Sequence, residues 1–255
     1  MTDRKEQQDT GESPIVHNAV LAVDVVIFTV REAEEPDDRW QVLLVKSGKA
    51  VFEGRMALPG VLVQAGETLE RAAGRALRTK TGLDASQWYL EQLGTWAEPA
   101  RDTRGRVASV GYFALVRSDQ LTLVPGSTVL QAEWVPVRHA LKTKLAFDHA
   151  DMLSAAVARL RSKMRYSWVA FQLLPEEFTI PDLRAIYSSV LDPSVARLNS
   201  SNFKRAFANL FDSGVLVPTG ERADTQGRGR PGDLYRFSGP LAGTWERELP
   251  WHSRR

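Results

Sequence analysis

The segment 61–83 constrains this chain most, because it predicts a helix that must pack against a core. It reads VLVQAGETLERAAGRALRTKTGL and follows the turn signal Leu58-Pro59-Gly60. Apolar residues recur along it at the spacing of one helix face, and Gly82 stands where a helix would end. The apolar stripe consists of Leu69, Ala72, Ala73, Ala76 and Leu77. We therefore expect an amphipathic packing helix over residues 68–80.

Stretches rich in valine, leucine and isoleucine predict β-strands on both sides of this helix. A second, longer helix is predicted from residue 147 to about 166, and it carries its own apolar stripe. This order of strands and helices, in which each helix buries one face, suits an α+β or an α/β sandwich. The predicted strands cover residues 19–30, 40–46, 88–97, 107–116 and 131–137.

The pattern changes after Tyr166. Thr179 and Asp182 have the spacing of a helix N-cap and its capping-box acid, so a helix is predicted to start there. A second helix is predicted from Ser200 to Ser213, followed by a hairpin whose loop covers residues 218–233. Two helices and then a hairpin with a basic tip form the order of a winged helix-turn-helix.

The second of these helices and the hairpin loop carry side chains suited to DNA. Asparagine and arginine pair bidentately with adenine and guanine edges, and lysine suits phosphates. Arginines among glycines predict a wing that follows the phosphate backbone or enters a minor groove. The predicted DNA contacts are Ser201, Asn202, Lys204, Arg205, Arg228 and Arg230. A solvated polar face on a small protein-contact domain is the alternative interpretation.

Composition excludes several classes of protein. The chain has 255 residues, of which 43% are hydrophobic, enough for one large domain or two ordinary ones. It has no cysteine, so disulfides and a thiolate nucleophile are excluded. No apolar run approaches the ~20 residues of a membrane span, and the polar N-terminus has no secretory signal. The expected location is the cytoplasm.

The net charge of +2 is unevenly distributed along the chain. Residues 151–255 hold 15 Lys or Arg and 11 Asp or Glu, whereas residues 1–150 hold 18 and 20. The second part is therefore net basic. This excess supports a nucleic-acid partner only together with the helix and wing described above.

The segment 61–83 also resembles a Nudix box, whose family pattern is G-x5-E-x7-R-E-U-x-E-E-x-G-U with U apolar. Val61 replaces the leading glycine, although Gly60 stands beside it. The positions that match the pattern hold Glu67, Arg75, Leu77, Gly82 and Leu83. The resemblance implies an α+β chain that begins with a Nudix-like α/β/α sandwich, continues into the winged helix-turn-helix and has an altered Nudix active site.

Three carboxylates of the Nudix pattern are missing, because their places hold Ala76, Thr79 and Lys80. Residues at i, i+3 and i+4 share one helix face, where three carboxylates would hold divalent cations that activate water. A methyl, a hydroxyl and an ammonium cannot bind Mg²⁺ in that way, although the ammonium suits a phosphate. We expect a pocket that binds a nucleotide diphosphate without cleaving it, with no catalytic residue, metal or required cofactor. An active pyrophosphatase with metal ligands elsewhere is the alternative.

Across residues 20–237 the chain resembles the NrtR family of Nudix-related transcriptional regulators of NAD metabolism. The segments that carry the resemblance are 100–106 (ARDTRGR), 146–150 (AFDHA), 202–205 (NFKR) and 230–237 (RPGDLYRF). It implies a bacterial, nucleoid-associated repressor of NAD biosynthesis or salvage genes that acts as a homodimer on palindromic operator DNA. It also implies that ADP-ribose or another NAD-derived nucleotide is the effector.

Seven residues are candidates for effector contacts. Arg101, Asp102 and Arg104 lie on a loop that either faces a diphosphate or forms an ordinary ion-pair turn. Arg75 is also expected to orient the box through ion pairs, and His149 to pack or cap rather than act as a base. The candidates are Arg55, Glu67, Arg75, Lys80, Arg101, Asp102 and Arg104.

The predicted organisation has four parts. They are a disordered tail at 1–16, a Nudix-like effector-sensing domain at 17–166, a winged helix-turn-helix domain at 167–240 and a C-terminal tail at 241–255. A protein-interaction adaptor that binds neither DNA nor nucleotide is a third interpretation of the same organisation.

Overall fold

The computed structural model describes residues 19–47, 54–81, 88–120, 129–191, 203–205, 207–223 and 232–239. These residues form a seven-stranded mixed sheet with helices on both faces, then a helical region and a three-stranded antiparallel sheet. The predicted α+β order, an α/β/α sandwich followed by a winged helix-turn-helix, is confirmed. Within this described part of the chain, no helix is both long and apolar enough to cross a lipid bilayer.

The seven-stranded sheet consists of β1 (Val20–Val30), β2 (Trp40–Ser47), β3 (Met56–Ala57), β4 (Gly60–Leu62), β5 (Tyr89–Trp96), β6 (Val107–Leu115) and β7 (Val129–Pro136). The main order is β3-β2-β1-β6-β5, with β4 paired to β1 and β7 paired to β2. Strands β1 and β6 are parallel, and the other pairs are antiparallel. Short strands β3 and β4 were not predicted, because two or three residues show no periodicity. The helices are α1 (Leu69–Thr81), α2 (Val137–Ala140) and α3 (His149–Tyr166).

Strand β1 is buried on both faces, and its alternate residues separate two cores. Val25 and Ile27 pack in the core on the α1 side. Val26 and Phe28 pack in the core that contains the buried face of α3. This alternation places α1 and α3 on opposite faces of the sheet.

Helix α1 buries the predicted apolar stripe. Ala72, Ala73, Ala76 and Leu77 are all fully buried against the strands, whereas Leu69 is only partly buried. Three of the four buried side chains are single methyl groups, so this face of the helix has little room for a longer side chain.

The connection from the sandwich to the second sheet begins with a 3-10 helix (Trp168–Leu173), followed by β8 (Glu177–Phe178) and α4 (Ile180–Val190). The predicted capping box is confirmed. The Thr179 hydroxyl accepts a hydrogen bond from the Asp182 N–H at 3.3 Å, and the Asp182 carboxylate accepts one from the Thr179 N–H at 2.8 Å. The capping box therefore defines the start of α4.

The predicted helix from Ser200 to Ser213 is not continuous over the residues that the structure describes. Residues 203–205 are helical, and a turn at Phe207 leads into α5 (Ala208–Asp212). The Phe207 N–H donates to the Lys204 carbonyl at 3.1 Å, a three-residue span that tightens the backbone. At this turn the Phe207 ring is buried, and its centroid lies 5.6 Å from that of the Tyr187 ring.

Gly214 ends the α5 region as predicted. Its φ of +71° is in the left-handed region that favours glycine. The Gly214 N–H donates to the Phe211 carbonyl at 3.1 Å, and the Val215 N–H donates to the Leu210 carbonyl at 2.9 Å. This pair of hydrogen bonds is a Schellman motif, which turns the chain out of the helix.

The prediction that the hairpin loop begins at Pro218 is wrong, because strand β9 (Leu216–Arg222) runs through that residue. The second sheet has the order β8-β10-β9, where β10 is Asp233–Phe237, so β9 is an edge strand. A proline is tolerated there because no neighbouring strand needs its missing N–H.

We expect Ala76→Glu to destabilise the folded protein by about 2–4 kcal/mol, because a carboxylate would be buried without a partner. Residue 76 is 0% exposed in the core beneath α1. Arg78→Glu on the exposed side of the same helix is the matched control, with an expected change below about 0.5 kcal/mol. Chemical unfolding measures both. Equal destabilisation by the two variants would contradict the packing described for α1.

Candidate ligand cavity and nucleic-acid interface

A cavity of about 460 Å³ opens between the β5–β6 loop and the start of α3. Its volume is in the range of small-molecule sites. Basic, acidic and aromatic side chains meet in it. The lining residues are Arg55, Trp96, Glu98, Ala100, Arg101, Thr103, Phe147, Asp148 and Asp151. This mixture suits a ligand that carries negative charge, a flat ring and hydroxyl groups.

Arg101 is the most buried cation of the cavity, and it is already paired. Its Nε and Nη2 donate to the two carboxylate oxygens of Asp148 at 2.9 and 2.7 Å, and Nη2 lies 3.7 Å from Asp24 Oδ2. Burial alone would lower the pKa of Arg101, but the Asp148 and Asp24 carboxylates outweigh it and raise the pKa. Arg101 is therefore a permanent cation that an anionic ligand must share with two carboxylates.

Asp24 is a buried carboxylate behind Arg101. Its Oδ2 accepts a hydrogen bond from the Ser109 hydroxyl at 2.6 Å and lies 3.5 Å from His149 Nε2. Burial alone would raise the pKa of Asp24, but His149, Ser109 and Arg101 outweigh it and lower the pKa below its ordinary value. An ionised Asp24 therefore joins β1, β6, the β5–β6 loop and α3.

His149 has a structural hydrogen bond, as expected for a packing residue. Its Nδ1 accepts from the Leu58 N–H at 2.9 Å, so Nε2 is the ring nitrogen that faces Asp24. The side chain is 3% exposed. It therefore links the turn before β4 to the first residue of α3.

Asp24 explains why residue 60, at the start of β4, is a glycine. A Cβ on Gly60 would lie 1.9 Å from Asp24 Oδ1, so only glycine allows β4 to pair with β1 at this point. The sequence analysis did not select Asp24 or Ser109. A signal was present, since Asp24 is the one charge within the apolar strand VLAVDVVIFTV.

Phe147 supplies an aromatic face beside the cations of the cavity. The guanidinium carbons of Arg101 and Arg104 lie 5.8 and 5.7 Å from the centroid of its ring. Its φ is +51°, a conformation that is rare for an aromatic residue and that surrounding contacts must hold. The strained backbone directs this residue into the lining of the cavity.

Asp102 and Arg104 form an ion-pair turn. The Arg104 guanidinium donates to Asp102 at 2.9 and 2.7 Å, and the Arg104 backbone N–H donates to the same carboxylate at 3.0 Å. The Arg104 side chain thereby lowers the pKa of Asp102. Of the three predicted loop residues, only Arg101 lines the cavity.

Two Nudix-box candidates, Arg75 on α1 and Glu67 just before it, pair with each other and do not line this cavity. Arg75 Nε and Nη2 donate to the Glu67 carboxylate at 2.8 and 2.7 Å, and Nη2 also donates to the Leu62 carbonyl at 2.7 Å. The Arg75 hydrogen bonds lower the pKa of Glu67 to about 2. Arg55 lies exposed in the cavity lining, and the Lys80 side chain lies outside the described residues.

The positions that would hold divalent cations in a complete Nudix box do not fit a metal here. Ala76 is buried in the core, and the Thr79 hydroxyl donates to the Arg75 and Ala76 carbonyls of its own helix at 2.8 and 3.3 Å. Among the residues described, no three His, Cys, Asp or Glu side chains converge as metal ligands do. Positions 76 and 79 of α1 therefore offer no carboxylate to a metal ion.

Only part of the predicted DNA interface can be located. Lys204 and Arg205 lie exposed in the helical residues 203–205. The predicted contacts Ser201, Asn202, Arg228 and Arg230 lie outside the residues described.

Helix α3 connects the cavity to the winged helix. Asp148 and Asp151, at the start of α3, line the cavity. Five residues before the end of α3, the Arg161 Nε donates to the Val190 carbonyl of α4 at 2.8 Å. The Arg161 guanidinium also lies 5.4 Å from the ring of Trp40 in β2. One hydrophobic core continues from the α3 side of the first sheet to the winged helix. The two regions are therefore packed together.

Two family models match the chain in the order of its two sheets. One, described as the NUDIX domain, matches residues 20–156, and the other, described as the NrtR DNA-binding winged helix domain, matches residues 170–237.

Two curated relatives match different lengths of the chain. It is 34% identical over 223 residues to the "ADPR responsive transcriptional repressor NtrR" of Acinetobacter baylyi, covering 86% of this chain and 82% of the relative. It is 36% identical over 148 residues to the ADP-ribose pyrophosphatase of Methanocaldococcus jannaschii, covering 58% of this chain and 79% of that enzyme.

Crystal structures of Shewanella oneidensis NrtR are similar in fold. Its complex with a 27mer DNA has a TM-score of 0.74 and 31% identity, covering 90% of this chain and 99% of that one. Its NUDIX domain with ADP ribose has a TM-score of 0.50 and 33% identity, covering 59% and 94%. With both family models matched and the repressor aligned along most of its length, this chain belongs to the NrtR family of Nudix-related transcriptional regulators.

Proposed function

We propose that the protein is a ligand-responsive transcriptional repressor of NAD biosynthesis or salvage genes. Its Nudix domain binds ADP-ribose or a related NAD-derived nucleotide, and its winged helix binds operator DNA. It acts as a homodimer on a palindromic site, in the bacterial cytoplasm at the nucleoid. The observation that carries this proposal is the similarity along 86% of the chain to a repressor named as responsive to ADPR.

The chemistry of the cavity supports a nucleotide diphosphate as the effector. Arg101 and Arg55 offer positive charge to phosphates, and the rings of Trp96 and Phe147 offer faces on which a base can stack. Carboxylates in the same lining, including Asp151, accept hydrogen bonds from ribose hydroxyls. Each part of ADP-ribose thus has a suitable group within one cavity.

Helix α3 is the route by which the effector changes DNA affinity. A diphosphate that draws Arg101 away from Asp148 alters the start of α3, whose later turns hold α4 through Arg161. Helix α4 packs against the aromatic residues Phe203 and Phe207 of the recognition segment, whose described residues are 203–205 and 207–212. A shift of α3 therefore reorients the DNA-binding surface. The effector and operator sites are then coupled in both directions.

The first test is binding of the purified protein to its own upstream promoter fragment, titrated with ADP-ribose and with NAD. We expect specific binding whose affinity changes about 5- to 150-fold with the effective nucleotide, the usual range of coupling between sites. A scrambled fragment of equal length is the control. Absence of specific binding at moderate salt, with or without nucleotide, would contradict the repressor function.

Arg101→Lys should weaken ADP-ribose binding about tenfold or more, because lysine keeps the charge but loses the bidentate geometry. Calorimetric titration measures the affinity, and circular dichroism verifies the fold. Arg71→Lys, on the exposed surface of α1 across the sheet, is the control and should bind as the wild type does. Unchanged affinity in Arg101→Lys would remove Arg101 from the effector site.

Arg161→Met should separate effector binding from the DNA response. The variant keeps an apolar stem but loses the hydrogen bond to α4, so we expect unchanged ADP-ribose affinity and a smaller nucleotide effect on operator affinity. Arg165→Met, exposed one turn later on α3, is the matched control. A full nucleotide response in Arg161→Met would show that this contact does not carry the coupling.

An ADP-ribose pyrophosphatase is the second candidate function, favoured by the 36% identity to the M. jannaschii enzyme. We propose instead that the Nudix domain is non-hydrolytic, because Ala76 and Thr79 offer no carboxylate where metals are held in a complete box. Release of AMP from ADP-ribose with Mg²⁺, absent in a heat-inactivated control, would establish the enzymatic alternative.

A further inference from the structure

Lys204 occupies a position that the sequence assigns to DNA phosphates, but its ammonium is turned towards the protein. Its Nζ lies 3.3 Å from the hydroxyl oxygen of Tyr235. The same Nζ lies 5.4 Å from the ring centroid of Phe211 and 5.6 Å from that of Tyr235. One cation therefore meets two aromatic rings and a hydroxyl group.

Tyr235 is a firm anchor for this cation. It lies in β10, the central strand of the three-stranded sheet, where it pairs with Phe178 on one side and Pro218 on the other. It is 6% exposed, and its ring meets Phe211 edge-on with centroids 5.2 Å apart. A side chain that contacts Tyr235 is therefore fixed in position relative to the whole three-stranded sheet.

The recognition segment needs such an anchor. Helix α5 has five residues, so its orientation depends on contacts with the rest of the domain. Phe203 and Phe207 bind the segment to Tyr187 of α4 on one side. On the other side, Lys204 binds it to the wing.

We propose that Lys204 is a positioning residue, which sets the angle between the recognition segment and the wing, and not a phosphate contact. This inference rests on the proposed function, since it concerns how the same winged helix meets DNA. A winged helix binds DNA when the recognition segment and the wing contact the duplex at the same time. A variable angle between them therefore weakens every contact that either element makes.

The salt dependence of operator binding distinguishes the two roles. Loss of one phosphate contact lowers the slope of log affinity against log salt concentration by about one, because fewer counterions are released on binding. Loss of a positioning contact lowers affinity while the number of neutralised phosphates stays the same. The variants are Lys204→Met, Tyr235→Phe and the double change, with Arg205→Met as the neighbouring predicted DNA contact.

We expect Lys204→Met to bind the promoter fragment about five- to tenfold more weakly, with an unchanged salt slope between about 50 and 200 mM. Tyr235→Phe should weaken binding in the same direction, and the double change should cost less than the two single losses combined. A slope lowered by about one in Lys204→Met, or wild-type affinity in that variant, would overturn the proposal.

Thermal unfolding of the wild type, the Lys204→Met and Tyr235→Phe variants and the double variant tests the contact without DNA. Coupling between Lys204 and Tyr235 predicts that the two single changes are not additive in the melting temperature. Additive effects would overturn the proposal even if the wild type binds no DNA. Absence of DNA binding by the wild type would refute the repressor function, whereas additive changes in melting temperature would refute the role of Lys204. The two failures are therefore distinguishable.

Discussion

The buried carboxylate of Asp24 is the constraint on which the cavity depends. A charge inside an apolar strand is tolerated only if partners surround it, because its desolvation is costly. Here the partners come from β6, the β5–β6 loop and the start of α3, through Ser109, Arg101 and His149. The same carboxylate restricts position 60 to glycine. Asp24 of β1, the segment 101–109 and His149 of α3 are thereby brought to one point.

The pairing of Arg101 has a consequence for ligand recognition. Because this guanidinium is paired with Asp148 and lies near Asp24, an anion that approached it would compete with existing ion pairs. In the proposed function, this competition is what lets the effector shift Arg101 from one arrangement to another. Its partner Asp148 stands at the N-cap of α3, so the rearrangement occurs next to the helix that reaches the winged helix.

The Nudix box of this chain has a packing helix but not the three later carboxylates of the family pattern. Glu67 and Arg75 still pair, and the methyl groups of Ala72, Ala73 and Ala76 seal α1 against the sheet. A carboxylate at position 76 would be buried in that core without a partner, so the alanine there is compatible with the packing of α1. The cavity with the mixed lining lies on the opposite side of the sheet, where α3 begins.

The sequence by itself determined the order of elements, the capping box of α4 and the stripe of α1, because hydrophobic period and helix-capping chemistry act over a few residues. It also named Arg55 and Arg101 among the candidate effector contacts, and the structure places both in the lining of one cavity. Tertiary structure decided that Asp102 pairs with Arg104 instead of lining the cavity, that Asp24 supports Arg101, and that Lys204 faces Tyr235. Partners of a charged side chain come from segments more than a hundred residues away, as His149 does for Asp24, and no local pattern encodes which of them the fold will bring within reach.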